Sequence, residues 1–194
     1  MIKETEKRKT DTKNEDLESK DFEEQVLEIR RVTKVTEGGK NLRFRAALVV
    51  GNHAGKVGFG LAKGLEVPQA LAKAKRQAMK NLIEVPIIEE TIPFEIKIRF
   101  KKAELFLKPA SGGTGLIAGR PIRPLIELAG IRNILSKIRG SNDKIVNSQA
   151  VILAFKKLAQ YWKKMDRNKI SDFKNKKLLP RRLPVGRQAR QVKK

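Results

Sequence analysis

The stretch Val32–Ala62, VTKVTEGGKNLRFRAALVVGNHAGKVGFGLA, decides the fold of the first half of the chain. Leu27–Thr36 is rich in Val, Ile and Thr, and Glu37-Gly38-Gly39-Lys40 is a turn signal. Leu42, Phe44, Ala46, Leu48 and Val50 then alternate with Arg43, Arg45, Ala47 and Val49. This period of two predicts a strand with one buried face and one face that is basic near the turn. Gly51–Gly55 is a second turn. In Lys56–Ala62, Val57, Phe59 and Leu61 share one side, and Gly58, Gly60 and Ala62 share the other. Small residues on a strand face let another backbone come close. Three antiparallel strands follow from this reading.

Working outward, a helix is predicted next, with Pro68 in its first turn and Leu71, Ala74, Ala78 and Leu82 at helical spacing. Lys73, Arg76 and Lys80 form a basic stripe on it. Glu84–Pro93 contains two prolines and three acids, and marks a boundary. Beyond it, Phe94, Ile96, Ile98 and Phe100 alternate with Glu95, Lys97 and Arg99, a half-buried strand. Lys101-Lys102 turns the chain into a strand ending at Lys108-Pro109. After a glycine-rich loop comes a short helix, with Pro121 near its first position and Gly130 just past its end. Asn133–Arg139 is a further strand. A last helix is expected to carry Val146, Ala150, Leu153, Leu158 and Tyr161 inward. The predicted class is α+β in two domains, 22–88 and 93–162, between an extension over 1–21 and a basic tail over 163–194.

The composition limits the partners. The 194 residues carry a formal charge of +23 with 40% hydrophobic and only 5% aromatic residues. Such a charge opposes compaction and suits a polyanion, nucleic acid first and an anionic membrane second. No apolar run approaches the roughly 20 residues of a spanning helix, so no membrane partner is expected. The N-terminal stretch has no apolar core of a secretory signal. The absence of cysteine fits a reducing, cytoplasmic setting and excludes thiolate metal sites, and His53 is the lone histidine. No metal and no cofactor are expected. Residues 163–194 hold thirteen Lys/Arg against two Asp, while 1–21 are nearly neutral. Neither end buries enough apolar surface to offset backbone entropy, so both are expected to order only on a partner, if at all.

The loop Lys108–Pro121, KPASGGTGLIAGRP, raises the question of a phosphate site. It lacks the Gly-Lys-Ser/Thr end of a P-loop, because Arg120-Pro121 follows Gly119. Gly113-Thr-Gly115-Leu-Ile-Ala118 fits a dinucleotide fingerprint, but Pro109 interrupts the preceding strand and no acid follows at the required distance. The glycines then serve positive φ angles and close approach at a strand-to-helix junction. Ser111 and Ser148 have no histidine base in their own domain, and His53 reads as a solvated turn residue. Glu104 and Glu127 read as surface carboxylates rather than an acid–base pair. No enzyme is predicted.

Lys34, Lys40, Arg43 and Arg45 cluster on one hairpin around a tip, Gly38-Gly39, that has no side chains. With Lys56, Lys63, Lys73, Arg76 and Lys80 they spread cations over the fold as phosphate positioning requires. Tyr161-Trp162 is the one conspicuous aromatic pair, so recognition is expected through backbone and shape.

The runs Val32–Lys40, Phe44–Gly51, Gly55–Gly60 and Lys63…Glu66-Val-Pro68 resemble the family of the fifth protein of the small ribosomal subunit. So do Pro109-Ala-Ser…Gly113-Thr-Gly115-Leu-Ile-Ala-Gly119, Glu127-Leu-Ala-Gly130 and Gly140-Ser-Asn142. The match runs from about Phe22 to about Leu158. It implies a first domain similar to double-stranded-RNA-binding domains and a second α/β domain of the kind named after that protein. It further implies a structural place in the small subunit, against ribosomal RNA, small-subunit proteins four and eight, and messenger RNA near where it enters. Support of decoding accuracy and of head–body conformation is implied too, and a homo-oligomer is not. On this resemblance Gly38-Gly39-Lys40 reaches neck RNA, and Ser111, Gly113, Thr114, Gly115, Gly119 and Arg120 lie at or near the contact with protein four. Glu37, Arg43, Arg45 and Gly112 depart from the family's usual residues. Two other readings are a free-standing RNA-binding regulator and a small-molecule phosphotransferase.

Overall fold

The computed structural model describes residues 22–164. The extension over 1–21 and all of the expected tail after Lys164 lie outside the described residues. Strands β1 (Glu23–Thr36), β2 (Gly39–Gly51) and β3 (Lys56–Gly64) lead into helix α1 (Val67–Lys80) and a short strand β4 (Ile83–Glu84). The strands make one antiparallel sheet in the order β1-β2-β3-β4. A bulge between Val26 and Glu28 shifts the β1–β2 register. Pro68 occupies the first turn of α1, where its missing N–H costs no hydrogen bond.

Helix α1 lies close on the sheet because both surfaces are small. Ala70, Ala74 and Ala78 are buried beneath it. A Cβ on Gly60 would collide with the Ala74 carbonyl oxygen, and one on Gly58 with that of Ala78. Leu48 and Val50 complete this layer. The Gln77 side chain accepts the Leu61 N–H at 3.2 Å, which satisfies a donor on the open edge of β3.

The second sheet contains β5 (Ile96–Phe100), β6 (Ala103–Pro109), β7 (Leu116–Ile117) and β8 (Ile134–Arg139), in the order β5-β6-β8-β7. Only β7 pairs in parallel. Helix α2 (Arg123–Leu128) and helix α3 (Lys144–Lys164) complete the chain. Pro124 rather than Pro121 takes the first turn of α2. Pro109 ends β6 as a paired residue opposite Ile134 instead of interrupting it. The class is α+β, a β-β-β-α unit followed by an α/β unit with a mixed sheet.

The two units share one core. Ala47, Val49, Val57, Phe59, Ile83 and Val85 of the first pack in the same cluster as Ile92, Phe94, Leu105, Leu125, Ile126 and Phe155 of the second. The segment Glu84–Pro93 is therefore no loose connector: Val85 and Ile92 are buried. Strand β2 is covered on both faces from Ala46 to Val50, by α1 on one side and by the second unit on the other. The expected pattern of one buried and one basic face is not kept: from Ala46 to Val50 both faces are buried, and toward the hairpin tip both are open, with Leu42 exposed beside Arg43 and Phe44 only half-buried.

Helix α3 keeps part of the expected face, with Ala150 and Leu158 buried, and departs from it elsewhere. Ile145, Ala150, Val151, Ala154, Phe155 and Leu158 are buried, whereas Val146 and Leu153 are only partly covered. Tyr161 is exposed, and Trp162 packs on Phe94 with ring centroids 6.2 Å apart.

Candidate nucleic-acid and protein interfaces

Register sorts the cations of the first sheet onto its two faces. Arg30 lies opposite Arg45, and Arg45 opposite Lys63, so three cations stand in one row across β1, β2 and β3. Neighbouring strands are about 4.8 Å apart, so the row spans roughly 10 Å. It continues the face that carries Ala47 and Val49, just past the part that the second unit covers. Arg43 and Lys34 extend the same face toward the tip, opposite Val32 and Asn41. Among the described residues none of Lys34, Arg43, Arg45 and Lys63 is paired to a carboxylate. The Arg45 Nε is buried without an acceptor. Arg30 is joined to Glu28 at 2.8 Å.

Lys40 projects from the opposite face, the α1 side, together with Arg31. Lys73, Arg76 and Lys80 are exposed on α1 itself, on that same side of the sheet. Lys56 stands at the far end of β3, opposite Glu84. At 3.4 Å per residue this is roughly 24 Å from Lys63. The expected cations thus form two surfaces back to back, with Lys56 separate from the row. At the tip Gly38 and Gly39 have nothing within 4 Å of a would-be Cβ, so a backbone can approach them closely.

The glycine loop is open in the same sense. Gly112, Gly113 and Gly115 have no atom within 4 Å of a would-be Cβ, and Gly113 and Gly115 have φ of 86° and 75°. These are left-handed conformations that a glycine adopts without penalty. Ser111 and Thr114 close the turn: the Thr114 N–H donates to the Ser111 carbonyl at 3.2 Å, and the two hydroxyls lie 3.3 Å apart. Gly119 and Arg120 lie beyond β7, where the Gly119 carbonyl accepts the N–H groups of Ile122 and Arg123. The candidate partner residues therefore stand on either side of the short strand β7 in the chain.

Comparison with known proteins matches residues 22–86 to the family described as ribosomal protein S5, N-terminal domain, and residues 98–167 to ribosomal protein S5, C-terminal domain. The chain belongs to the ribosomal protein S5 family. Among similar S5 proteins is small ribosomal subunit protein uS5 of Thermotoga neapolitana, 50% identical over 143 residues, covering 74% of this chain and 80% of that protein. Another is uS5 of Thermosipho africanus, 53% identical over 138 residues, covering 71% of this chain and 78% of that protein.

Within this S5 chain most of the residues weighed for catalysis have other occupations. Ser148 is fully buried and donates its hydroxyl to the Lys144 carbonyl at 2.8 Å, a bond within helix α3. Glu104 is bound to Lys97 at 3.0 Å. That hydrogen bond and the Lys97 charge hold its carboxyl below the usual carboxylate range. Partial burial opposes them, while Arg139 and Arg99 assist. Glu127 offers its backbone carbonyl to His53 Nδ1 at 2.9 Å. His53 is not merely a solvated turn residue. Its Nε2 meets Glu23 at 2.7 Å and its backbone N–H donates to the Leu128 carbonyl at 3.0 Å, so it ties β1 and α2 to the β2–β3 turn. Arg30 and Arg31 carry no local signal because they sit in mid-strand, away from the hairpin tip, and only register brings Arg30 beside Arg45.

Proposed function

We propose that this chain is a structural constituent of the small ribosomal subunit that binds ribosomal RNA through the first sheet and other ribosomal proteins through the second unit. Family membership supports the coarse statement. The row Arg30–Arg45–Lys63 carries the finer one: three adjacent cations on one sheet face, of which only Arg30 has a carboxylate partner, offer a site for anionic oxygen. Lys34, Arg43 and the bare tip Gly38-Gly39 extend this surface, and Lys40, Lys73, Arg76 and Lys80 supply a second one behind it.

The finer assignments rest on the family resemblance together with exposure. Ser111, Gly113, Thr114, Gly115, Gly119 and Arg120 face small-subunit protein four, and protein eight and messenger RNA near its point of entrance are further neighbours. Decoding accuracy and head–body conformation depend on these contacts. The chain acts without catalysis.

The test is a titration against a small-subunit RNA fragment at several salt concentrations. Log K is expected to fall linearly with log salt, by roughly 0.7–0.9 per phosphate neutralised. A flat response overturns the proposal. Sedimentation separates it from a free-standing regulator, which would be found away from ribosomal particles.

A further inference from the structure

The turn between the two sheets has an unusual backbone. Glu89 and Glu90 both have positive φ, 48° and 65°, in a tight turn closed by Ile88 and Thr91, whose N–H and C=O groups exchange hydrogen bonds of 2.9 Å. Consecutive left-handed residues other than glycine persist only where their surroundings hold them. Here the Glu90 carbonyl accepts the N–H groups of both Arg132 and Asn133 at 3.0 Å. The Glu90 carboxylate lies 2.8 Å from Arg132 Nη1 and 3.3 Å from Asn133 Nδ2. Asn133 is buried, and its Oδ1 accepts the N–H of Gly115 at 3.1 Å.

We infer that Glu90 is a positioning residue for the glycine loop, acting through Asn133. The Arg132 ion pair is exposed and contributes little by itself. The bond to Asn133 does more, because an ionised carboxylate only accepts hydrogen bonds. It therefore takes the NH2 side of the amide, which turns the amide oxygen toward Gly115. The neighbouring residue holds the loop's other end: Thr91 Oγ1 accepts the Ala110 N–H at 3.2 Å. A two-residue strap between the sheets thus suspends both ends of the segment Ala110–Gly115. This role rests on the reading of that loop as a protein contact, and it brings in residues that the resemblance did not assign.

The experiment uses the full chain and measures amide hydrogen exchange at Gly115 and at Leu105 and Leu107 of β6. Glu90→Gly removes the carboxylate and relieves the backbone strain together, so loss of fold does not confuse the result. Glu90→Gly and Glu90→Ala are expected to speed Gly115 exchange about tenfold, the size of one hydrogen bond to a charged group. β6 should be unchanged, and Glu90→Gln should retain most of the protection because its carbonyl oxygen still accepts. Unchanged Gly115 exchange in Glu90→Gly overturns the inference. So does an equal acceleration in β6.

A second arm adds the variants to small-subunit particles assembled without this chain. Weaker incorporation with an unaltered salt dependence supports the loop as a protein contact, since phosphate contacts would change the salt slope. Faster Gly115 exchange with full incorporation upholds the role of Glu90 and overturns the protein-contact reading of the loop.

Discussion

His53 shows how one side chain can join distant parts of a chain. Its ring has two partners, the Glu127 carbonyl and the Glu23 carboxylate, and its backbone has φ of 53°. His53→Asn keeps a residue that tolerates the left-handed region and removes the ring. Thermal unfolding should show a loss of about 1 kcal/mol, as for an ordinary hydrogen-bond deletion. Glu104 provides a pH dependence. Its pKa is lowered in the folded state by Lys97, so the stability it lends is complete above the ordinary carboxylate range, near pH 4. That stability is lost as pH falls through the lowered value. Denaturation followed between neutrality and pH 3 should therefore show a shallower acid decline in Glu104→Gln than in the parent, with the parent's advantage confined to the higher pH values. At this scale the sequence exposed residue types but not their pairings. Lys97 and Glu104 are seven residues apart and meet only because β5 and β6 place Arg99 opposite Glu104.

Strand β3 and helix α1 make the clearest case among the elements. The alternation of Gly58, Gly60 and Ala62 with Val57, Phe59 and Leu61 was legible, and the glycine side does accept a close backbone. Gly60→Ala forces its methyl into the Ala74 carbonyl and should cost about 2–3 kcal/mol. At about 2–4 °C per kcal/mol for a chain of this size, calorimetry should record a drop of roughly 4–12 °C. The face of α3 was legible only in part, at Ala150 and Leu158. Ile145-Val146 and Val151-Ile152-Leu153-Ala154-Phe155 are apolar nearly all round the helix. Periodicity cannot choose a face when both are apolar; the choice falls to packing against β5, β6 and the first unit. Strand β4 was missed for another reason. It is only two residues long and lies in a stretch rich in Pro and Glu. Its pairing with Lys56 and Val57 is a tertiary event with no local signature.

Across the whole molecule, the basic surfaces and the common core dominate. Replacing Arg30, Arg45 and Lys63 together with glutamine should lower the salt slope of RNA binding by roughly 2–3, about 0.7–0.9 for each phosphate left without its cation. Lys56→Gln, distant from that row, should leave the slope nearly unchanged. A fragment ending after residue 88 would uncover Ala47, Val49, Val57 and Phe59, all buried in the intact chain. It should lack a cooperative melting transition, whereas the full chain should unfold in one step; two separate transitions in the full chain would contradict a common core. The two-unit order was readable from the chain because each unit keeps its own strand and helix pattern. Their fusion was not, since Ala47 and Val49 look like the plain outer side of a half-buried strand.

The double covering of β2 has a consequence during biosynthesis. Translation at about 5–20 residues per second leaves roughly 6–23 seconds between the emergence of Gly51 and that of Lys164, the end of the last helix. Throughout that interval the nascent sheet displays a greasy surface with nothing to lay against it, so molecular chaperones have a defined window in which to protect the newborn polypeptide.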